Sequence, residues 1–269
     1  MTRATDLPAF LARHERLFVL TGAGCSTRSG IPDYRDADGQ WKRAKPVTYQ
    51  AFMGDEATRR RYWARSLVGW RRFSRAEPND THHALARLEA TGKVELLLTQ
   101  NVDRLHQAAG SAEVIDLHGR LDRVRCMACG ERLPRSEVQN HLASRNAGWL
   151  ALDAGAAPDG DADLEGADFS AFVTPSCPHC GGLLKPDVVF FGESVPPERV
   201  QAAAQRLEQA DAMLIVGSSL MVYSGFRFAE MAARAGKPIA AVNLGRTRAD
   251  ELLTLKVEAA CEAALAFLL

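Results

Sequence analysis

No run of apolar residues in this 269-residue chain approaches the ~20 needed to cross a bilayer, and the N-terminal segment carries charge where a signal peptide needs an apolar stretch. A membrane span and a secretory leader are not expected; a soluble, cytoplasmic protein is. Net charge is missing too. Lys plus Arg and Asp plus Glu each total 33, so the strongly basic field of a nucleic-acid binder is absent, and Arg59-Arg60-Arg61 and Arg71-Arg72 read as solvated helix faces. Cysteine is scarce: six residues fall as two C-x-x-C pairs plus Cys25 and Cys261, a pattern that suits metal ligation in a reducing compartment and not a secreted disulfide framework. No internal repeat is found.

What is present is an apolar content of 46%, enough for a substantial core. Short apolar runs recur at Leu17 to Thr21, Val94 to Thr99, Val114 to Leu117, Ala212 to Val216 and Ile239 to Val242, and read as buried strands. Segments of helical period lie between them at Thr81 to Thr91, Pro197 to Ala210 and Phe226 to Gly236. This alternation predicts an α/β fold: a Rossmann-like, doubly wound parallel sheet with helices on both faces.

Two stretches interrupt it. Tyr34 to Asn79 carries Trp41, Trp63 and Trp70 among many arginines and reads as a helical insertion over the sheet's edge, at about 34–80. The second, 122–184, holds both cysteine pairs, and its Gly-, Ala- and Asp-rich middle, Ala154 to Gly166, reads as a mobile loop. The expected division is a nucleotide-binding domain of 1–121 and 185–269 around a zinc-binding module of 122–184.

Cys126-x-x-Cys129 and Cys177-x-x-Cys180 each place two thiolates on a tight turn. Four thiolates make a closed, structural zinc site with no open position for substrate. His179, inside the second pair, is expected to point outward. A stretch this polar needs the metal to fold.

Gly22-Ala23-Gly24 directly follows a strand and resembles the start of a dinucleotide fingerprint, whose glycines let backbone N–H groups approach a pyrophosphate at a helix N-terminus. The usual third glycine is replaced by Thr27, and Trp41 and Lys42 occupy the neighbourhood of the expected ribose-binding acid. Hydride transfer is thereby disfavoured, while a dinucleotide in another orientation is not. Further polar turns, Gly217-Ser218-Ser219 and Asn243-Leu244-Gly245, end two later strands, and the three turns together suit one extended ligand. The segment Thr99 to His106, with Asn101 and Asp103, and the following Leu117-His118-Gly119 add an amide, a carboxylate and an imidazole at strand ends.

Assembled, these motifs resemble the sirtuins, NAD-dependent protein-lysine deacylases. The matching residues are Gly22 to Ser26, Gly30 to Arg35, Thr99 to Asp103 with His106, His118-Gly119, the four paired cysteines, Val188 to Glu193, Gly217 to Leu220 and Asn243. Arg61 to Arg65 with Gly69-Trp70, Val222 to Gly225 and Gly245 to Asp250 look like the class II, lipoamidase-like branch.

The resemblance implies a transferase in which the acyl-lysine carbonyl oxygen attacks the nicotinamide ribose carbon. The products are nicotinamide, O-acyl-ADP-ribose and free lysine, with acetyl or longer, lipoyl-type acyl groups as substrates. Protein ADP-ribosyl transfer from the same pocket is the alternative. In this scheme His118 is the base, suited by an imidazole that titrates near neutrality. Asn101 orients the ribose and a water, and Asp103 with Ile31 holds the nicotinamide carboxamide, a positioning effect. Ala23, Ser26, Thr27 and Gln100 complete the cofactor cradle. Pro32, Asp33, Tyr34, Arg35 and Trp41 lie on a loop that closes over NAD, with Arg35 on the phosphates. Ser218, Ser219, Asn243, Leu244, Gly245 and Cys261 complete the ribose and adenine side. Val188, Val189, Phe190, Phe191 and Gly192 on one side, and Val222 and Tyr223 on the other, flank an acyl-lysine protein or peptide substrate in extended form. Neither nucleic acid nor membrane is an expected partner. Tyr62 and Arg65, three apart on a helix, resemble the pair by which one sirtuin class reads acidic acyl groups. His106 reads as a structural helix residue.

Overall fold

The computed structural model describes residues 6–42, 46–152, 160–162, 164 and 166–269. Of the 154–166 loop read from composition, 154–159, 163 and 165 lie outside the described residues. The chain runs through α1 (Asp6–Arg13), β1 (Leu17–Thr21), α2 (Tyr49–Gly54), α3 (Glu56–Phe73), α4 (Asp80–Ala90) and β2 (Val94–Thr99). It continues through α5 (Leu105–Ala108), β3 (Val114–Asp116), β4 (Gly119–Cys126), β5 (Arg132–Pro134), α6 (Arg135–Arg145) and β6 (Leu184–Val188). The last elements are α7 (Pro197–Gln209), β7 (Ala212–Val216), α8 (Tyr223–Arg234), β8 (Ile239–Val242), β9 (Leu255–Val257) and α9 (Cys261–Leu265). Among the described residues no helix is long and apolar enough to cross a membrane.

Two compact units result. The first comprises 1–44, 77–117 and 195–269. Its six strands form a parallel sheet in the order β3-β2-β1-β7-β8-β9. Strands β1, β7 and β8 are buried at every residue, as parallel strands covered on both faces must be. The pleat divides β1 between two cores: Leu17 and Val19 pack with Leu85 and Leu88 of α4 and Leu265 of α9. Phe18 and Leu20 pack with Leu207 of α7 and Phe228 of α8. The sheet is thus Rossmann-like and doubly wound.

Register fixes where the polar turns emerge. Thr21 pairs with both Thr99 and Val216, Val216 with Val242, and Thr99 with Asp116, so the strands end level at one carboxyl edge. The chain builds outward from β1 through β2 to β3, then returns to β1's other side with β7. A ligand crevice belongs at such a reversal of strand order.

The second unit comprises 45–76 and 118–194, so α2 and the tryptophan-bearing α3 gather with the cysteine segment. Strands β5, β4 and β6 form its antiparallel sheet. Helix α3 starts at Asp55, whose carboxylate accepts the Ala57 and Thr58 N–H groups as an N-cap. Trp63 and Leu67 of α3, Val138 and Leu142 of α6, and Val124 of β4 share its core with Phe52, Phe172 and Phe190. Arg135 is buried there as well: its guanidinium carbon lies 4.9 Å from the Trp70 ring and 5.6 Å from Trp63, and Nη2 donates to the Ser66 hydroxyl at 3.2 Å. The expected helical insertion begins later than Tyr34. Residues 34–42 form a loop of the first unit, closed by a bridge between Arg35 and Trp41.

Candidate active site

In the first unit the turns after β1 and β7 pack backbone against backbone. A Cβ on Gly24 would lie 2.9 Å from the Gly217 Cα, and one on Gly217, whose φ is +62°, would lie 2.5 Å from the Cys25 nitrogen. Only glycine fits these two positions. The segment following Gly22 is a pair of 3₁₀ turns, Ala23–Cys25 and Thr27–Ser29. The α-helix expected to open at this turn is not formed there, because the N–H groups of Cys25, Ser26, Ser29 and Gly30 each bond the carbonyl three residues back, as Cys25 does to Gly22 and Ser26 to Ala23, while that of Gly24 bonds Gly217.

The amide and carboxylate of the segment after β2 meet this turn. Ser26 Oγ donates to Asp103 Oδ2 at 2.7 Å, while Asn101 Nδ2 donates to Ser26 Oγ at 3.0 Å and to the Gly22 carbonyl at 3.1 Å. The Leu105 N–H binds the other Asp103 oxygen at 3.0 Å. Desolvation raises the Asp103 carboxyl above its ordinary range against these donors. Behind them, His82 Nε2 lies 3.5 Å from Ser26 Oγ, and Thr21 Oγ1 bonds Thr99 Oγ1 at 2.8 Å and His106 Nε2 at 2.9 Å. Burial holds both histidines below the usual imidazole range, His82 at about 4. From β7's turn, Ser218 Oγ donates to Gln100 Oε1 at 2.6 Å, and Leu220 adopts φ +54°, a left-handed conformation unusual for its type.

The other first-unit residues singled out from sequence are placed as follows. Ile31 is buried, Lys42 Nζ meets Asp33 Oδ1 at 2.5 Å, and the Arg35 guanidinium stacks 4.0 Å over Trp41 while Nη1 donates to Gly39. Asn243 turns its amide onto the Leu244 carbonyl, and Leu244 itself is exposed. Arg246 N–H bonds Ala37 O at 2.9 Å, tying the loop after β8 to the 34–42 loop. Cys261 adjoins Cys25, and this thiol neighbour, with burial, pushes the Cys25 thiol up, so it stays protonated.

In the second unit His118 immediately precedes β4 and its carbonyl accepts the Val189 N–H at 2.7 Å. Gly119 has φ +85°, and a Cβ there would fall 2.1 Å from the Asp187 oxygen, so only glycine lets β6 pass this close. After β6, Phe190 packs edge-on to Phe52 at 5.2 Å and beside Tyr62 at 5.3 Å. Tyr49 N–H bonds the Phe191 carbonyl and Gln50 the Gly192 carbonyl, which hold the segment extended. Lys185, buried, binds the Val188 carbonyl and Glu193 Oε2, and that carboxylate also accepts the Phe190 N–H at 2.9 Å.

The four paired cysteines converge, their sulfurs all within 4.8 Å of one another. The two turns are near copies. Gly130 and Gly181 donate to the Cys126 and Cys177 carbonyls, whose own N–H groups donate to Glu131 and Gly182. Sulfur separations of 3.5 Å (Cys126 to Cys180) and 3.8 Å (Cys129 to Cys177) match the edge of about 3.8 Å that a tetrahedron with Zn–S bonds of about 2.3 Å requires. The cluster fits a structural zinc. His179 is exposed and outside the cluster.

The Sir2 family model matches residues 22–224. The chain belongs to the Sir2 family. It is 73% identical to NAD-dependent protein deacetylase 2 of Bradyrhizobium diazoefficiens over 98% of this chain and 97% of that protein. It is 68% identical to the NAD-dependent protein deacetylase of Bordetella bronchiseptica, over 98% of each chain. A solved complex described as Sir2 with p53 peptide and NAD+ superposes with a TM-score of 0.77 at 29% identity, covering 98% of this chain and 96% of that one.

In this sirtuin several polar residues behind the site escape a reading by motif. His82 is anchored by Asn79, whose N–H donates to His82 Nδ1 in a capping box at the start of α4; the Asn79-x-x-His82 spacing is its only sequence signal. Lys185 and Glu193 flank the Val188 to Gly192 segment and tie it off. Thr21 and Thr99 end adjacent strands, so their pairing follows only from register.

Proposed function

We propose that the protein is an NAD-dependent protein-lysine deacylase of the class II branch, working in the cytoplasm on acyl-lysine side chains of proteins. The observation that carries this reading is the hydrogen-bonded set Ser26, Asn101 and Asp103 at the carboxyl edge of a Sir2-family sheet, at the reversal of strand order. It extends to this chain the activity by which its relatives are named. Four cysteines kept as thiolate ligands suit a reducing compartment.

NAD supplies the ribose carbon that the acyl oxygen attacks. Gly22, Ala23, Gly24 and Thr27 line the approach to its phosphates, on a turn whose path against Gly217 requires glycine at Gly24. Asn101, its amide fixed by the Gly22 carbonyl and Ser26, orients the ribose. Asp103 and buried Ile31 receive the carboxamide. Gln100, Ser218, Ser219, Asn243, Gly245 and Cys261 serve the remaining sugar and the adenine, and Pro32 to Arg35 with Trp41 form the covering loop. Preorganised donors of this kind need no rearrangement when charge develops. His118, directly before β4, takes the proton from the ribose diol. Val188 to Gly192 offers main-chain groups to an extended peptide, with Phe190 against the acyl chain.

The test is incubation with NAD and a panel of acetyl-, lipoyl- and succinyl-lysine peptides, read by mass spectrometry. O-acyl-ADP-ribose and free lysine are expected, lost in His118→Ala. ADP-ribosylated protein without O-acyl-ADP-ribose would make the chain an ADP-ribosyltransferase.

A further inference from the structure

Residues from two segments, Val222 to Gly225 with the following turn of α8 and Gly245 to Asp250, come together on the first unit. Tyr223, at the first position of α8, is 53% exposed. One turn on, the Arg227 guanidinium carbon sits 5.2 Å from the centre of its ring. Arg248, from the loop after β8, sits 5.7 Å from the same ring and 4.3 Å from that of Phe226. Two cations therefore bracket one exposed aromatic ring.

Each arm is set in place by the fold. The Arg248 N–H bonds the Ser219 carbonyl at 2.8 Å, and its Nη1 reaches the Met221 carbonyl at 3.4 Å. Arg227 Nε is buried with no hydrogen-bond partner among the described residues. Nor does either guanidinium pair with a carboxylate among them: the nearby Asp250 is taken by Lys256 at 2.9 Å and by Thr247. Like charges sharing one ring repel each other, and an anion between them removes the repulsion. A guanidinium stacked on a ring keeps its in-plane N–H donors directed outward, in the fork that a carboxylate matches. The uncapped N-terminus of α8, with no acidic residue in its first turn, adds field of the same sign.

We propose that Tyr223, Arg227 and Arg248 form a carboxylate-reading platform that selects protein substrates with Asp or Glu close to the acyl-lysine. The inference rests on the deacylase reading, in which Val222 and Tyr223 flank the substrate peptide. A neutral chain with no broad basic field favours an acidic peptide over a nucleic acid.

The experiment uses the full-length enzyme and peptides with one acyl group whose three residues on either side of the acyl-lysine carry Glu, Ala or Lys. Nicotinamide release gives kcat/KM. Glu peptides should exceed Lys peptides roughly tenfold at low ionic strength, with the advantage shrinking as salt rises. The double variant R227E/R248E should invert the order, a reversal that loss of fold does not produce, and R248Q should reduce the advantage several-fold. Equal turnover of all peptides by the wild type, or an order unchanged in R227E/R248E, overturns the platform and leaves the deacylase reading standing. Absence of O-acyl-ADP-ribose with every peptide overturns both.

Discussion

Ser26 and Asp103, 77 positions apart, are joined by a hydroxyl-to-carboxylate hydrogen bond of 2.7 Å, and the same hydroxyl oxygen accepts the Asn101 amide. One small side chain thus sets the direction of the two groups assigned to ribose and carboxamide. Hydrogen bonds to a charged group contribute about 1.5–3 kcal/mol, so Ser26→Ala should lower kcat/KM for NAD roughly 10- to 100-fold. Nicotinamide release at varied NAD measures it, and an unchanged value would show that Asn101 and Asp103 hold their positions without the hydroxyl.

The buried His82 and His106 rings, 4.8 Å apart, make the first unit sensitive to acid. Desolvation lowers His82 from 6.5 to about 4, and the neighbouring His83 charge works in the same direction. Between these values the unfolded chain binds the proton and the folded one does not, so stability rises with pH there. It is complete above about 6.5 and is lost as pH falls toward 4, by up to about 3 kcal/mol from His82 alone. Asp103, raised by burial, acts in the opposite sense. Thermal unfolding should show Tm falling from pH 7.5 to pH 5, with a shallower fall in His82→Gln. Parallel profiles for the two proteins would contradict this.

Removing the metal should act on the second unit's fold and not on the chemistry. The four sulfurs form a closed set, with no position left for a substrate. A strong chelator or Cys177→Ser should release one zinc per chain and abolish the tryptophan signal of ordered Trp149, which stacks on Phe169 5.4 Å away in the same core. Activity should fall in step with that signal. Loss of activity with zinc gone and the spectrum unchanged would give the metal a direct role.

Strands β1, β7 and β8 are legible as continuous apolar runs because burial on both faces demands such runs, as Leu17 to Thr21 illustrates, while β2 and β3 keep a weaker apolar signal beside Glu95 and Asp116. Leu255–Val257 is too short and carries Lys256, so β9 has no comparable signal. Strand β4 is hidden by Arg120, Asp122, Arg123 and Arg125, charges that exceed its buried Leu121, Val124 and Cys126. The cysteine spacing announced the metal cluster because both turns are local. Contacts between distant segments left no comparable trace: Arg135 stacks on Trp63 and Trp70, where composition puts an arginine in solvent, and the Ser26 hydroxyl gives no hint of Asp103.

Arg65 is the remaining case where spacing and structure part. Its three-residue separation from Tyr62 suggests a receptor for acidic acyl groups, yet its Nε donates to the Ala162 carbonyl at 2.8 Å and lies 4.0 Å from the buried Asp161 carboxylate. Its charge is already answered within the second unit, and a succinyl carboxylate would have to displace a main-chain oxygen and compete with a buried acid. Removing it withdraws one cation from the buried Asp161, which also interacts with Arg135. With a long, partly exposed pair the cost is about 1–3 kcal/mol, so Arg65→Met should lower Tm by roughly 3–8 °C. Succinyl and acetyl peptides should keep the same ratio of turnover in wild type and variant, and Asp161→Asn in the Arg65→Met background should recover part of the lost stability. A selective fall in succinyl turnover with Tm unchanged would return Arg65 to the acyl-reading role its spacing suggests.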